Sequence, residues 1–142
     1  MQTKRFKKLI FIIIFTFSIS NYSQTLEVVT NLENKYQECL DNGNGMKECA
    51  EKFYSTSDSL LNIPYKNLKL KMNLTEQNSL RIEQRNWLKK RDTYFEKAYD
   101  DTIKDYGNFP ESQDFKMILI DKQSDFVIKR VKELIKRRNN IK

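Results

Sequence analysis

Apolar residues recur along most of the chain at steps of three and four, which is the spacing of a helix with one buried face. These stripes predict helices over residues 25–40, 46–72 and 75–106, and from residue 111 to the end. The last two are of similar length and are joined by a short link, which favours an antiparallel hairpin. The pattern predicts an all-α fold, an antiparallel bundle of about three long helices preceded by a short N-terminal helical segment.

Short clusters of turn-forming residues separate the stripes. Residues 41–45 read Asp-Asn-Gly-Asn-Gly, and Gly and Asn favour a turn because they tolerate left-handed backbone conformations. Gly107 and Pro110 end the third stripe. Pro64 lies inside the second stripe, where proline removes a backbone donor and clashes with the preceding turn. We therefore expect a kink or break at residues 62–64.

The first 23 residues have the pattern of a secretory signal peptide. Four basic residues between positions 4 and 8 precede an almost unbroken apolar run over residues 9–19, and small polar residues follow. A retained anchor is the alternative, but a membrane-spanning helix needs about 20 apolar residues. We expect secretion across the inner membrane to the periplasm or the exterior, without a stable membrane anchor. Residues 24–36 would form an N-terminal segment, and residues 37–142 the helical domain.

Charge and composition exclude several functions. The formal net charge is +7, and loss of the four basic residues in the predicted signal peptide lowers it to +3. This argues against a nucleic-acid partner, because phosphate binding needs a dense basic surface. The chain has no histidine and two cysteines, so Ser-His-Asp or Cys-His catalysis and His-based or four-cysteine metal sites cannot be assembled. We expect no catalytic residues, no cofactor and no metal, and hence no enzyme.

Cys39 and Cys49 flank the turn at residues 41–45. Secretion places them in an oxidising compartment, and the turn lets the chain reverse between them, so we predict a disulfide that ties the N-terminal helical segment. The loop between them either only fastens that segment or serves as a recognition element. Its residues are Asp41, Asn42, Gly43, Asn44 and Gly45.

A set of spaced residues resembles the lysozyme inhibitor LprI-like domain family over about residues 37–136. It includes both cysteines, an Asp-x-x-Leu-Asn-x-x-Tyr-x-x-Leu stretch, a Gln-x-x-Trp-x-x-x-Arg-Asp stretch and a late Arg-x-x-Glu-Leu. The motif core in this sequence is Asp58, Leu61, Asn62, Tyr65, Gln84, Trp87, Arg91, Asp92 and Arg130. The resemblance implies a helical domain that binds a protein, with a cell-wall hydrolase as the suggested partner.

The same motif residues define an expected register between helices. If the second and third stripes form an antiparallel hairpin, Asp58 faces Arg91 in a partly buried ion pair and Tyr65 faces Gln84 as a hydrogen-bond partner. In the hairpin of the last two helices, Trp87 lies opposite Arg130. Phe95 and Lys122 also face each other there, and the family usually carries a second cysteine pair at these two positions.

Three further features have a functional and a structural interpretation. Asp100, Asp101 and Asp105 could imitate a glycosidase acid pair, but they share a polar helix face, which favours solvated side chains. Trp87 could stack on a sugar, but its apolar neighbours favour a core position. The basic run near the C-terminus could bind an anionic polymer or could complement the helix dipole. Its members are Lys129, Arg130, Lys132, Lys136, Arg137 and Arg138.

Taken with the resemblance, these residues favour a secreted, non-enzymatic module that binds an extracytoplasmic protein. Inhibition of lysozyme or another cell-wall hydrolase is the expected activity. The alternative is an envelope-associated structural module that binds anionic polymer through the basic C-terminal helix.

Overall fold

The computed structural model describes residues 26–141, which fold into four α-helices. They are α1 (Leu26–Asp41), α2 (Met46–Lys69), α3 (Leu74–Tyr106) and α4 (Gln113–Asn140). The predicted all-α class is confirmed over this range. The N-terminal helical segment is a full helix of 16 residues, so the bundle has four helices rather than three with a short appendage. The predicted signal peptide, residues 1–23, lies outside the described residues.

Local sequence fixes the helix ends close to the predicted positions. Asn73 and Glu76 form a reciprocal capping box at the start of α3, with hydrogen bonds of 2.8 and 3.0 Å. Gly107 ends α3 with a φ of 82°, and its N–H donates to the Ile103 carbonyl at 2.9 Å. Ser112 caps α4 by accepting from the Phe115 N–H.

A kink or break was expected at residues 62–64, and the break is wrong, because α2 continues through Pro64 to Lys69. Proline cannot donate to the carbonyl one turn earlier, yet tertiary packing keeps the helix intact. Pro64 is fully buried and stands seven residues after Ser57, which itself stands seven after Ala50. These three small side chains share one helix face.

α2 makes its most extensive contacts with α4, not with its sequence neighbour α3. The two run parallel, since Lys71 beyond the end of α2 donates to the carbonyl of Ile141 beyond the end of α4 at 3.2 Å. The residues that precede α2 and those that begin α4 line a common cleft at the other end. The predicted close pairing of α2 with α3 is therefore wrong, whereas α3 packs against α4 as expected.

The apolar core forms where α1, α2 and α4 meet, and only one of its buried members comes from α3. Burial of this surface is the main source of stability. The buried hydroxyls of Ser57, Thr102 and Ser124 each donate to the carbonyl four residues earlier, so they add no unsatisfied polar group. The core residues are Val29, Phe53, Leu61, Leu68, Leu80, Ile128, Val131, Leu134 and Ile135.

The predicted disulfide between Cys39 and Cys49 is present, with the two Cα atoms 5.9 Å apart. It joins the last turn of α1 to the first turn of α2. Next to it, the rings of Tyr36 and Phe53 stack with centroids 4.4 Å apart. The Tyr36 hydroxyl donates to Asp121 of α4 at 3.0 Å, so α1 is held to both neighbours. Burial raises the pKa of Tyr36, and the nearby carboxylate of Asp121 acts in the same direction.

Candidate binding site

The side of α2 that faces α3 borders an open cleft of about 320 Å³, which we call the α2–α3 cleft. Both helices line it with mainly polar side chains. Burying guanidinium and carboxylate groups without bonded partners is costly, so this polar seam disfavours close packing of the two helices. The lining residues are Asp58, Leu61, Asn62, Tyr65, Arg81, Gln84, Arg85, Leu88 and Arg91.

Six of the nine predicted motif-core residues line this cleft. The register predicted for α2 and α3 also brought these residues to the same part of the bundle. The ring contact between Tyr54 and Phe95, with centroids 6.2 Å apart, belongs to the same register. Burial and the charge of Asp58 raise the pKa of Tyr54, whereas Arg91 acts to lower it. Asp58 and Arg91 thus lie at the same level of the bundle.

The ion pair expected between Asp58 and Arg91 is wrong. The Arg91 guanidinium instead donates to Asp92 Oδ1 through Nε at 3.0 Å and Nη2 at 2.8 Å, and it lies 5.7 Å from the centre of the Phe95 ring. Asp58 has no ion-pair or hydrogen-bond partner for its carboxylate among residues 26–141. The two side chains lie at the same level, but Arg91 bonds to its neighbour on α3 instead of reaching across the cleft.

The other motif arginine, Arg130, is the buried one, with 4% of its surface exposed. Its Nε and Nη2 donate to Gln84 Oε1 at 3.1 and 2.9 Å, and its Nη1 pairs with Glu83 and Glu133 at 2.8 Å. The expected Tyr65–Gln84 hydrogen bond is therefore replaced by Arg130–Gln84. This network fastens α3 to α4.

Glu83 shows how this network balances burial against charge. Burial acts to raise the pKa of Glu83, but hydrogen bonds from Arg137 and Arg130 outweigh it, and the net pKa is lowered. Arg137 Nη1 lies 2.6 Å from Glu83 Oε1. Glu83 is thus ionised and held between two guanidinium groups.

Trp87 lies over Arg130, as the register of α3 and α4 predicted, with the guanidinium carbon 5.9 Å from the ring. Its ring stacks on Phe126 with centroids 5.6 Å apart, and the Tyr94 ring stacks on the same phenyl ring at 4.5 Å. Trp87 packs against the core and is half-buried. Its indole therefore holds α3 against α4. Lys122 donates to Thr102 and Asp105 on α3, not towards Phe95.

The basic run of α4 is largely engaged within the fold. Arg130 is buried, Lys132 pairs with Glu33 of α1 at 2.6 Å, and Arg137 pairs with Glu83. Lys129 and Lys136 are the members of this run that are exposed. The free basic face that polymer binding would need is therefore much smaller than the sequence suggested.

The loop of residues 41–45 is exposed throughout. It borders a cleft of about 280 Å³ whose other wall is the start of α4, including Gln113 and Met117. Gly43 and Gly45 have φ values of 70° and 63°, in the left-handed region that favours glycine. The recognition role of this loop stays a prediction.

Two of the three aspartates predicted to share a polar face of α3 pair with lysines. Asp101 pairs with Lys97 and Lys104, and Asp105 with Lys122 at 3.5 Å. In the described part of the chain, no three His, Cys, Asp or Glu side chains converge as metal ligands. No helix between residues 26 and 141 is long and apolar enough to span a membrane.

Arg81 and Arg85 are site residues that the sequence reasoning missed. They lie one turn apart on the cleft side of α3, and within residues 26–141 neither guanidinium has an ion-pair or hydrogen-bond partner. A signal was available, because Arg81, Gln84, Leu88 and Arg91 step by three, four and three. That is the spacing of a helix-packing seam, and here arginines occupy positions that apolar side chains normally take.

These features define a small disulfide-tied helical module with a polar, arginine-lined cleft. The lysozyme inhibitor LprI family matches residues 37–134, which is more than half of the chain. The chain therefore belongs to the lysozyme inhibitor LprI family. Comparisons with curated proteins and with solved structures gave no significant match.

Proposed function

We propose that this protein is a secreted, non-enzymatic module that binds and inhibits a cell-wall hydrolase outside the cytoplasm. The observation that carries the proposal is membership of a family named for lysozyme inhibition. The α2–α3 cleft supports it, because six motif-core residues line this open surface, and Leu61 is the one among them that also belongs to the buried core.

The proposed location outside the cytoplasm has its own support. The Cys39–Cys49 disulfide is stable in oxidising compartments. The N-terminal sequence has the charge and apolar pattern of a signal peptide. Mass spectrometry of the protein recovered from the periplasm or medium tests this location, and cleavage near residue 23 is expected.

A titration of cell-wall lysis tests the activity. The protein is added to a less basic bacterial hydrolase and to a strongly cationic animal-type lysozyme, at low and moderate salt. We expect stoichiometric inhibition of the bacterial hydrolase and weaker inhibition of the cationic lysozyme. The predicted secreted form carries a net charge of +3, and two cationic proteins lack electrostatic steering.

Two results would contradict the proposal. One is cell-wall degradation by the protein alone, which would make it an enzyme. The other is no effect on either hydrolase, together with retention on anionic envelope polymer that depends on Lys129 and Lys136. That result would favour the structural alternative.

A further inference from the structure

We propose that the α2–α3 cleft is a carboxylate-binding site that receives an acidic segment of the partner protein, with Arg81 and Arg85 as the groups that bind the carboxylates. This inference rests on the proposed protein-binding function and names the surface that performs it. Three arginines and one aspartate line the cleft, which gives it an excess of positive charge.

The two arginines are available to a ligand. Arg91 is occupied by Asp92, and Arg130 by Gln84, Glu83 and Glu133 on the other side of α3. In contrast, Arg81 and Arg85 have no bonded partner in the described chain. Residues four apart on a helix are neighbours, and each guanidinium can bind a carboxylate with two parallel hydrogen bonds.

The remaining lining favours a peptide over a simple polyanion. Asp58 presents acceptors only, while Asn62 and Tyr65 can both donate and accept. Leu88, which is exposed, adds apolar surface between these groups, and the buried Leu61 lies at the base of the cleft. A polyphosphate chain has no donors for Asp58 and no apolar groups for the leucines, whereas a peptide segment with acidic and apolar side chains has both.

The test uses a matched pair of double variants. Arg81→Gln with Arg85→Gln removes two positive charges from the cleft. Lys129→Gln with Lys136→Gln removes the same charge from exposed positions on α4. Because all four side chains are exposed, both variants should unfold at the wild-type temperature, which circular dichroism checks.

Amide NMR spectra are recorded while the protein is titrated with acetyl-Leu-Glu-Glu-Leu-amide, its Gln-Gln counterpart or inorganic phosphate. We expect the acidic peptide to shift resonances around Leu61 and Leu88. The Gln-Gln peptide, phosphate and the Arg81→Gln/Arg85→Gln protein should each show binding weakened about tenfold or more, the loss for one charge-assisted hydrogen bond. The Lys129→Gln/Lys136→Gln protein should bind like the wild type.

Equal binding of phosphate, shifts centred elsewhere, or no binding of the acidic peptide would overturn the inference. The hydrolase titration separates it from the proposed function. Inhibition that survives Arg81→Gln/Arg85→Gln would leave the function in place and remove the cleft as its site. Peptide binding in the cleft without inhibition of any hydrolase would retain the carboxylate site and refute the proposed function.

Discussion

The two sides of α2 show how one helix can serve both folding and binding. Towards α4, it presents Ala50, Ser57 and Pro64 at intervals of seven residues, and this face is fully buried. Towards α3, it presents Asp58, Asn62 and Tyr65, and this face borders an open cleft. Small and apolar residues let helices approach closely, whereas unpaired polar residues hold them apart.

Chain order therefore does not decide which helices pack. The short turn after Lys69 joins α2 to the capped start of α3, yet these consecutive helices leave a cleft between them. α4, the last helix, fills the position beside α2 and joins it to both α1 and α3. A surface rich in family-motif residues is thereby left accessible.

The greatest difference in stability should come from truncating one leucine in the core and one in the α2–α3 cleft. Leu134 of α4 is fully buried, and Leu134→Ala should lower the free energy of unfolding by about 2–5 kcal/mol, because it removes apolar contacts and leaves a cavity. Leu88 in the cleft is 36% exposed, and Leu88→Ala should cost less than about 1 kcal/mol. Denaturant unfolding measures both. Similar losses would mean that the cleft is part of the core.

Of the two motif arginines, the buried Arg130 should contribute more to the free energy of unfolding than Arg91 in the cleft. Arg130→Ala removes a buried guanidinium that bonds three side chains, and a loss of about 3 kcal/mol is expected. Arg91→Ala breaks a pair whose partner, Asp92, is 64% exposed, so its cost should be under about 1 kcal/mol. Urea unfolding of the two variants compares them. The opposite ranking would restore the Asp58–Arg91 pair predicted from sequence.

The disulfide between α1 and α2 should stabilise the fold without changing the affinity of the α2–α3 cleft for the acidic peptide. Replacing Cys39 and Cys49 by serine frees the end of α1 and should cost about 2–3 kcal/mol on the chain-entropy model. Thermal unfolding with and without reductant measures this loss. Affinity for the acidic peptide at a temperature where the variant is folded should not change. A parallel loss of affinity would place the binding surface near α1.

Lowering the pH should reduce the free energy of unfolding by a smaller amount, through Glu83. The pKa of Glu83 is lower in the folded protein than its ordinary value of 4.5, so its contribution to stability is present above that pH and is lost as pH falls through the folded pKa. Glu83→Gln should therefore weaken the acid dependence of stability, by less than about 1 kcal/mol because the side chain is 41% exposed. Unfolding measured between neutral and acidic pH tests this. An unchanged dependence would contradict the network around Arg130.

Much of the fold could be predicted because the signals are local. Helix periodicity, Gly107 with Pro110, and the cysteines around the turn at residues 41–45 located the helices and the disulfide. The α3–α4 register followed from Trp87 and Arg130, which do meet. The break predicted at Pro64 did not occur, because the local cost of proline in a helix was outweighed by packing against a helix that is distant in sequence.

The cleft was harder to predict for a different physical reason. Register specifies which residues face each other, but not the distance between the helices that carry them. That distance depends on whether a third helix offers a better apolar partner, and α4 does so for α2. Arg81 and Arg85 were missed because charged side chains on a helix are usually solvated and carry no function.

We expect that the facing charges of the α2–α3 cleft do not bond to each other and so leave the cleft open to a ligand. A double-mutant cycle with Asp58→Asn and Arg91→Ala measures their coupling through the free energy of unfolding. Additive effects are expected, with a coupling energy within about 0.5 kcal/mol of zero. A favourable coupling of about 1 kcal/mol or more would show that the two side chains bond in the folded protein and that the cleft is closed.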